Sequence, residues 1–432
     1  MIKKYKPNSL QELKELVSDK SVHLGDIDTS LITDMTELFK DSTRKNFDGL
    51  ETWDTSNVTT MERMFHRAKY FNHPIGNWDV SSVTNMECIF CGCSNFNQPL
   101  GDWDVSSVTN MESMFGTCGK FNQPLNDWDV SKVRKISCMF CEAESFNQPL
   151  DRWNTSEVRE MSWTFAGCTK FNQDISSWDT SNATVMEGVF ERAARFNQPL
   201  NTWNVSNVRD MFRMFEGAKS FNQPIGAWNV SAVTNMRQMF WRAAAFNQSL
   251  EKWNVSNVQN MREMFCEASS FNQPLNDWDV SNVQDMREMF SKASSFNKPL
   301  SNWNVSNVQN MYCMFNEAKS FNQPLDRWDV SNAKDMAYMF CKATSFRQPI
   351  TAWRLCGQST KGMFLRLPDY RDMESRVMCL TPHDEEAMRY DLEDMIGIFG
   401  EEAVQDALRL YGPKYGLKED LVLLRCYLPA DK

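Results

Sequence analysis

Thirteen cysteines and four histidines are the residues best equipped for chemistry, and their spacing decides what they can do. Cys88-x-x-Cys91-x-Cys93 and Cys138-x-x-Cys141 have the two-residue gap of a half zinc site, where two thiolates would supply half of a tetrahedral shell. No histidine stands near them at ligand spacing. His23, His66, His73 and His383 are scattered and flank no nucleophile motif. There is no P-loop, no glycine-rich dinucleotide motif and no HExxH. Asp79, Asp104 and Asp129 recur as a candidate calcium ladder, but Asn stands in their place at 154, 204, 229, 254 and 304. The glycine-rich loop of calcium β-rolls is also missing. Neither a cofactor nor an enzymatic reaction is expected, and calcium is a minor reading.

Those residues belong to a repeat. Thirteen tryptophans, Trp53 to Trp353, stand 25 residues apart without a slip. Such a period marks a solenoid, in which each coil buries its apolar face against its neighbours. In the coil around Trp103, Leu100-x-x-Trp103-x-Val105 alternates as a half-buried strand does. Val108, Met111, Met114, Phe115, Cys118 and Phe121 then follow in three-residue steps, which predict a short helix or 3₁₀ segment. The expected fold is an α/β repeat solenoid with one short strand and one short helical segment per coil.

The unusual composition follows from this unit. Twenty of 27 methionines stand eight or eleven residues after a Trp, and 24 of 29 phenylalanines stand twelve after or seven before one. They are read as core. Cys93, Cys118 and Cys168 take a position held elsewhere by Ala68, Ala143 or Ala218, so they are read as small apolar filler. Cys91, Cys141, Cys266 and Cys341 share a second register, and Cys88, Cys138 and Cys313 a third. The odd count and scattered registers favour reduced thiols. Among polar constants, Asn72 and its equivalents predict an inward amide ladder bonding the next coil's backbone. Ser56 and its equivalents, and the Asp or Asn after each Trp, predict turn or cap roles.

The motif Met-Phe-x-x-Cys of Met114 to Cys118, followed by the FNQPLxxWDVSNVxxM pattern, resembles the 25–26-residue repeat of BspA-like leucine-rich-repeat surface proteins, including mycoplasma and Listeria lipoproteins. The resemblance spans roughly residues 24 to 365. It implies a right-handed LRR-like solenoid that binds proteins or adheres to surfaces, and no catalytic residues.

Flanking segments are read as caps. Residues 1–23 hold Leu10, Leu13, Leu16 and Val17 behind Ser9, predicting an amphipathic capping helix. Residues 24–365 form the solenoid of about 13 or 14 coils. Its first coil is degenerate, with Ile27 in place of Trp and one residue inserted near Arg44 to Phe47. Residues 366–432 form an acidic helical cap or small module. Thr381-Pro382-His383-Asp384 reads as a helix start, Gly400 as its stop, and Glu401 to Tyr411 and Lys418 to Tyr427 as two further helices. The net charge of −10 without a basic stripe excludes nucleic acid as the expected partner, and no apolar stretch is long enough to span a membrane. The absent signal core points to the cytoplasm, while the resemblance points to the cell surface.

The leading expectation is a non-enzymatic scaffold for protein partners, host or self. The alternative is a spacer or immune-evasion array in which length matters and no single patch binds. Variable outward residues carry the first reading, chiefly Asn77, Asp102, Asp127, Arg152 and Lys252, one before each Trp. Arg63, Trp163, Arg213, Tyr312 and Tyr338 make a rival surface. Trp163 and Trp241, outside the tryptophan register, are candidate aromatic anchors.

Overall fold

The computed structural model describes residues 3–355, 357–367, 370–380, 385–415 and 417. The chain divides into two compact units, Met1–Asn229 and Val230–Lys432. Each unit is a stack of 25-residue coils.

Among the described residues, no coil contains the expected strand at Trp or the expected helical segment. Coils meet through single-residue parallel bridges seven positions after Trp, or six in the last coil, where Ser359 follows Trp353. They run from Asp34–Thr60 to Val185–Asp210 in the first unit, and from Asn235–Asn260 to Asp335–Ser359 in the second. The Leu-x-x-Trp segment is a turn, closed by Trp103 N–H donating to the Leu100 carbonyl at 3.1 Å. In the first two coils it tightens to single 3₁₀ turns, Leu24–Asp26 and Leu50–Thr52.

The segment expected to be helical is a chain of β-turns. Met114, Gly116 and Cys118 donate within the coil to Met111, Ser113 and Phe115, three residues back. The alternate amides of Met111, Ser113, Phe115 and Thr117 donate to Lys135, Ser137, Met139 and Cys141 of the next coil, at 2.6–3.0 Å. Residues ten and fourteen after Trp have left-handed φ, as at Ser113 (54°), Thr117 (57°), Glu263 (57°) and Glu267 (59°). A left-handed residue every four positions forbids a helix, which needs an unbroken right-handed run. Because each turn closes over three residues, the buried positions still step by three. That coincidence made the segment read as 3₁₀.

Side chains bind one coil to the next. The Trp103 indole N–H donates to the Ile75 carbonyl of the preceding coil at 3.1 Å, and Trp278 to Leu250 at 3.0 Å, so the buried indoles have paired donors. Phenylalanine rings stack in two columns. Phe115 lies 4.0 Å from Phe121 within its coil and 5.7 Å from Phe140 in the next. The Asn amides do form a ladder: Asn97 Oδ1 accepts from Asn122 N–H at 2.9 Å, and Asn272 Oδ1 from Asn297 N–H at 3.0 Å. They are exposed or half-buried rather than turned inward. The Asp or Asn after Trp forms an Asx turn, Asp104 Oδ1 accepting from Ser106 N–H at 3.0 Å.

At the amino-terminal end, helix α1 (Leu10–Ser18) is capped by Ser9, whose hydroxyl accepts from Glu12 N–H, and buries Leu13 and Val17. Tyr5 bridges Ile27, so the preceding segment covers the edge of the first coil. The insertion delivers Arg44, which donates to the Val17 and Asp19 carbonyls at the end of α1. In the second unit, α2 (Met373–Met378), α3 (Glu385–Phe399) and α4 (Glu401–Tyr411) follow the last coil. Their core joins Val377, Met388, Leu392, Met395, Val404 and Leu408. Tyr370 extends a phenylalanine column, 6.0 Å from Phe346. The helix start at Thr381 to Asp384 and the helix expected over Lys418 to Tyr427 lie outside the described residues.

Thr117 is β-branched, exposed and left-handed, where sister coils have Gly92 and Gly167. Thr117→Gly should therefore raise stability by about 1 kcal/mol. Guanidinium denaturation checks this: a later midpoint is expected, and an unchanged or earlier one contradicts it.

Candidate binding surface

The residue before each Trp is exposed throughout both stacks, from Thr52 to Ala227 and from Lys252 to Ala352. Asn77 donates its amide to the Glu51 carbonyl at 2.8 Å. Asp127 and Arg152, in adjacent coils, pair at 2.7 Å. Their side chains are 78% and 70% exposed, so the pair contributes little to stability. Asp102 continues this row in the first unit, and Lys252 lies on the equivalent row of the second. No aromatic side chain occurs in it.

A second surface follows the inter-coil ladder. Positions nine and ten after Trp lie between the two buried Met positions, and thirteen and fourteen between the buried Phe and the buried Ala or Cys. They vary most in chemical type, and two of them are the left-handed residues. In the first unit this ladder face carries Arg63, Trp163, Phe212 and Arg213; in the second, Trp241, Arg242, Tyr312 and Tyr338. The aromatic members are half-buried. Trp163 donates its indole N–H to Glu191 Oε2 at 3.2 Å, the Arg213 guanidinium lies 4.9 Å from the Phe212 ring centre, and Arg213 pairs with Glu216 at 3.0 Å. Arg242 covers the Trp241 ring at 4.6 Å. Trp163 and Trp241 thus lie on this face, in different units, and not on the row beside the comb.

The wide rings require space in the following coil. A β-carbon on Gly188 would come within 2.2 Å of the Trp163 indole nitrogen, and one on Gly362 within 2.5 Å of the Tyr338 ring. Both glycines are also left-handed. Sequence reasoning missed this pairing, although a large aromatic followed one coil later by Gly was its visible signal.

The residues first considered for chemistry are dispersed between the surface and the core. Among the described residues, no three His, Cys, Asp or Glu groups come together to hold a metal ion. Asp79, Asp104 and Asp129 hold their own turns, and hydrogen bonds from Ser81, Ser106 and Ser131 keep their carboxyls below the usual range. His73 meets Glu51 at 2.6 Å, whereas burial lowers the pKa of His66. Cys93, Cys118 and Cys168 are fully buried, and each thiol donates to a Phe carbonyl of the preceding coil at 2.9–3.0 Å. They fill the core and close one more contact between coils.

With this geometry in place, similarity to other proteins can be stated. The profile of a family described as "Mycoplasma protein of unknown function, DUF285" matches residues 8–123, 74–172, 149–253 and 246–353. The chain belongs to the DUF285 family. No curated protein matches it. Among solved structures, an internalin (InlF) from Listeria monocytogenes superposes with a TM-score of 0.22 at 10% identity, covering 81% of this chain and 95% of that one. So loose a superposition transfers neither partner nor mechanism. The DUF285 matches overlap end to end across the tandem coils, and the helices after residue 365 lie beyond them. No described helix is long and apolar enough to cross a membrane.

Where the DUF285 array meets those helices there is a cavity of about 20 Å³, lined by Thr360, Met363, Phe364, Arg376, Cys379, Asp391, Asp394 and Met395. It is the size of one water. Arg376 is buried, lies 3.6 Å from Asp394, and donates to the Leu367 and Tyr370 carbonyls. Asp391 accepts from Gly362 N–H at 2.7 Å. Burial pushes its carboxyl up to about 7 despite that bond and the nearby Arg376 and Lys361.

Two outcomes follow. Gly188→Ala should cost about 1–3 kcal/mol, and much less in a Trp163→Ala background, because the clash is with that ring. Denaturation of the two single variants and the double variant measures this coupling, and additive losses would refute the pairing. Separately, folded Asp391 holds a proton that an unfolded carboxylate releases near its ordinary 3.8. Its contribution is therefore full only below 3.8 and is lost as pH rises from there to about 7. Helix docking should weaken over that window in wild type and less so in Asp391→Asn, as read by hydrogen exchange in α3; identical profiles would contradict it.

Proposed function

We propose that this DUF285 chain is a non-enzymatic protein-binding scaffold, and that the ladder face is its contact surface. The observation carrying this reading is the division of labour within the coil. Trp, Phe, Met and Asn positions are occupied by side-chain contacts that join coils, whereas the ladder-face positions change chemical type from coil to coil. That face also concentrates the residue types that dominate binding energy: Trp163, Phe212 and Arg213 in one unit, and Trp241, Arg242, Tyr312 and Tyr338 in the other. The row holding Asn77, Asp102, Asp127, Arg152 and Lys252 is exposed but polar, and serves as a flanking rim. Surface adhesion of the BspA-like kind is the cellular setting that this reading favours.

A pull-down with the full chain tests it. Trp163→Ala/Phe212→Ala should reduce capture of specifically bound proteins at least tenfold (about 1.4 kcal/mol or more), while Asp102→Ala/Asp127→Ala/Arg152→Ala should change it less than threefold. Excision of residues 154–228, three whole coils, should abolish capture. If shortening leaves capture intact and only reduces length, the array is a spacer and the scaffold reading fails.

A further inference from the structure

Four of the cysteines stand apart from the rest in arrangement. Cys88 and Cys91 flank one β-turn, closed by Cys91 N–H donating to the Cys88 carbonyl at 3.1 Å; Cys138 and Cys141 flank the equivalent turn two coils later, closed at 3.0 Å. The central residues of both turns, Ile89 and Phe90 or Met139 and Phe140, are fully buried. The four flanking thiols are half-buried on the ladder face. A β-turn holds its first and last α-carbons within about 7 Å, and a disulfide spans about 4.4–6.8 Å. Within each pair the second thiol lowers the pKa of the first, and Ser113, in the intervening coil, acts in the same direction on both Cys88 and Cys138.

We propose that Cys88–Cys91 and Cys138–Cys141 are two thiol–disulfide exchange sites, each closing a reversible disulfide across one turn of the ladder face. The oxidant is a low-molecular-weight disulfide of the glutathione class. The Cys88 thiolate attacks one of its sulfurs, forming a mixed disulfide and releasing one thiolate. Cys91 then gives up its proton and attacks Cys88 Sγ, expelling the second thiol. Two protein thiols are oxidised, and one small disulfide is reduced to two thiols.

The order of attack follows from the surroundings. The neighbouring Cys91 thiol lowers the Cys88 pKa, and the Arg63 side chain acts in the same direction; Cys91 is raised by Cys88 and by burial. Cys138 and Cys141 divide in the same way. The thiolate is the nucleophile, so the first cysteine of each pair leads. Other cysteines lack one requirement or another. Cys93, Cys118 and Cys168 are sealed in the core, while Cys266, Cys313 and Cys341 are buried and have Glu263, Asn316 and Tyr338 across their turns.

The test is a thiol map of the full chain. Reduced protein is treated under native conditions with oxidised glutathione, the remaining thiols are alkylated, and peptides are identified by mass spectrometry. Four thiols should become unavailable, linked as Cys88–Cys91 and Cys138–Cys141, and return with dithiothreitol. Cys91→Ser, which places at that register the residue found at Ser291, should instead trap glutathione on Cys88. The proposal is overturned if all four thiols remain alkylatable, if the linkages involve Cys93, Cys118 or Cys168, or if Cys91→Ser acquires no glutathione.

Discussion

The whole array depends on where its backbone N–H groups go. A 25-residue coil without helix or strand cannot satisfy them by itself, and buried unpaired amides are costly. The chain alternates the solutions: one amide closes a turn inside the coil, and the next donates to the neighbouring coil. Left-handed residues ten and fourteen after Trp set this alternation, because they rotate successive peptides in and out of the stacking direction. Changes of length are taken up outside this ladder: across the insertion near Arg44, Met35 N–H still donates to the Thr60 carbonyl at 3.1 Å and Phe39 N–H to the Met64 carbonyl at 2.7 Å. What the insertion disturbs is one of the two ring columns, while Phe39 and Phe65 in the other stay parallel at 2°. Phe47 meets Phe71 edge-on at 81°, whereas Phe96 and Phe121 lie nearly parallel at 4°.

Much of this architecture was legible in the sequence. The tandem period, the burial of Trp, Met and Phe, the Ser9 cap, the weak first coil at Ile27 and the helix stop at Gly400 all follow from pattern and residue type. The local backbone did not. Leu-x-x-Trp has the spacing of a turn as much as that of a strand face, and three-residue steps suit serial β-turns as well as a 3₁₀ helix. The deciding signal, left-handed φ, is hidden because most such positions hold Arg, Glu, Lys or Cys rather than Gly. These residues tolerate the strain because ladder bonds on either side hold the peptide in place.

The same concealment shifted the surface reading. Arg63, Trp163, Arg213, Tyr312 and Tyr338 read as a surface of the expected helical segment and Trp241 as a separate aromatic anchor, and the structure places all six on the ladder face of their respective units. The residues before Trp were correctly placed in solvent, yet their row carries no ring. Gly188 and Gly362 show that the framework yields to accommodate a large side chain on the ladder face. The binding surface and the scaffold are therefore not fully separable: a new aromatic in one coil requires a change in the next.

The tryptophan bonds also have a direction. Each indole reaches backward to a carbonyl of the preceding coil, while the ladder amides reach forward. A duplicated coil placed inside the array finds its acceptor behind it and its partner ahead. At the head of the array, where the segment holding Tyr5 precedes in place of a coil, the position is held by Ile27, which has no donor to satisfy. Lengthening by duplication of a coil is thus accommodated at interior positions of the array.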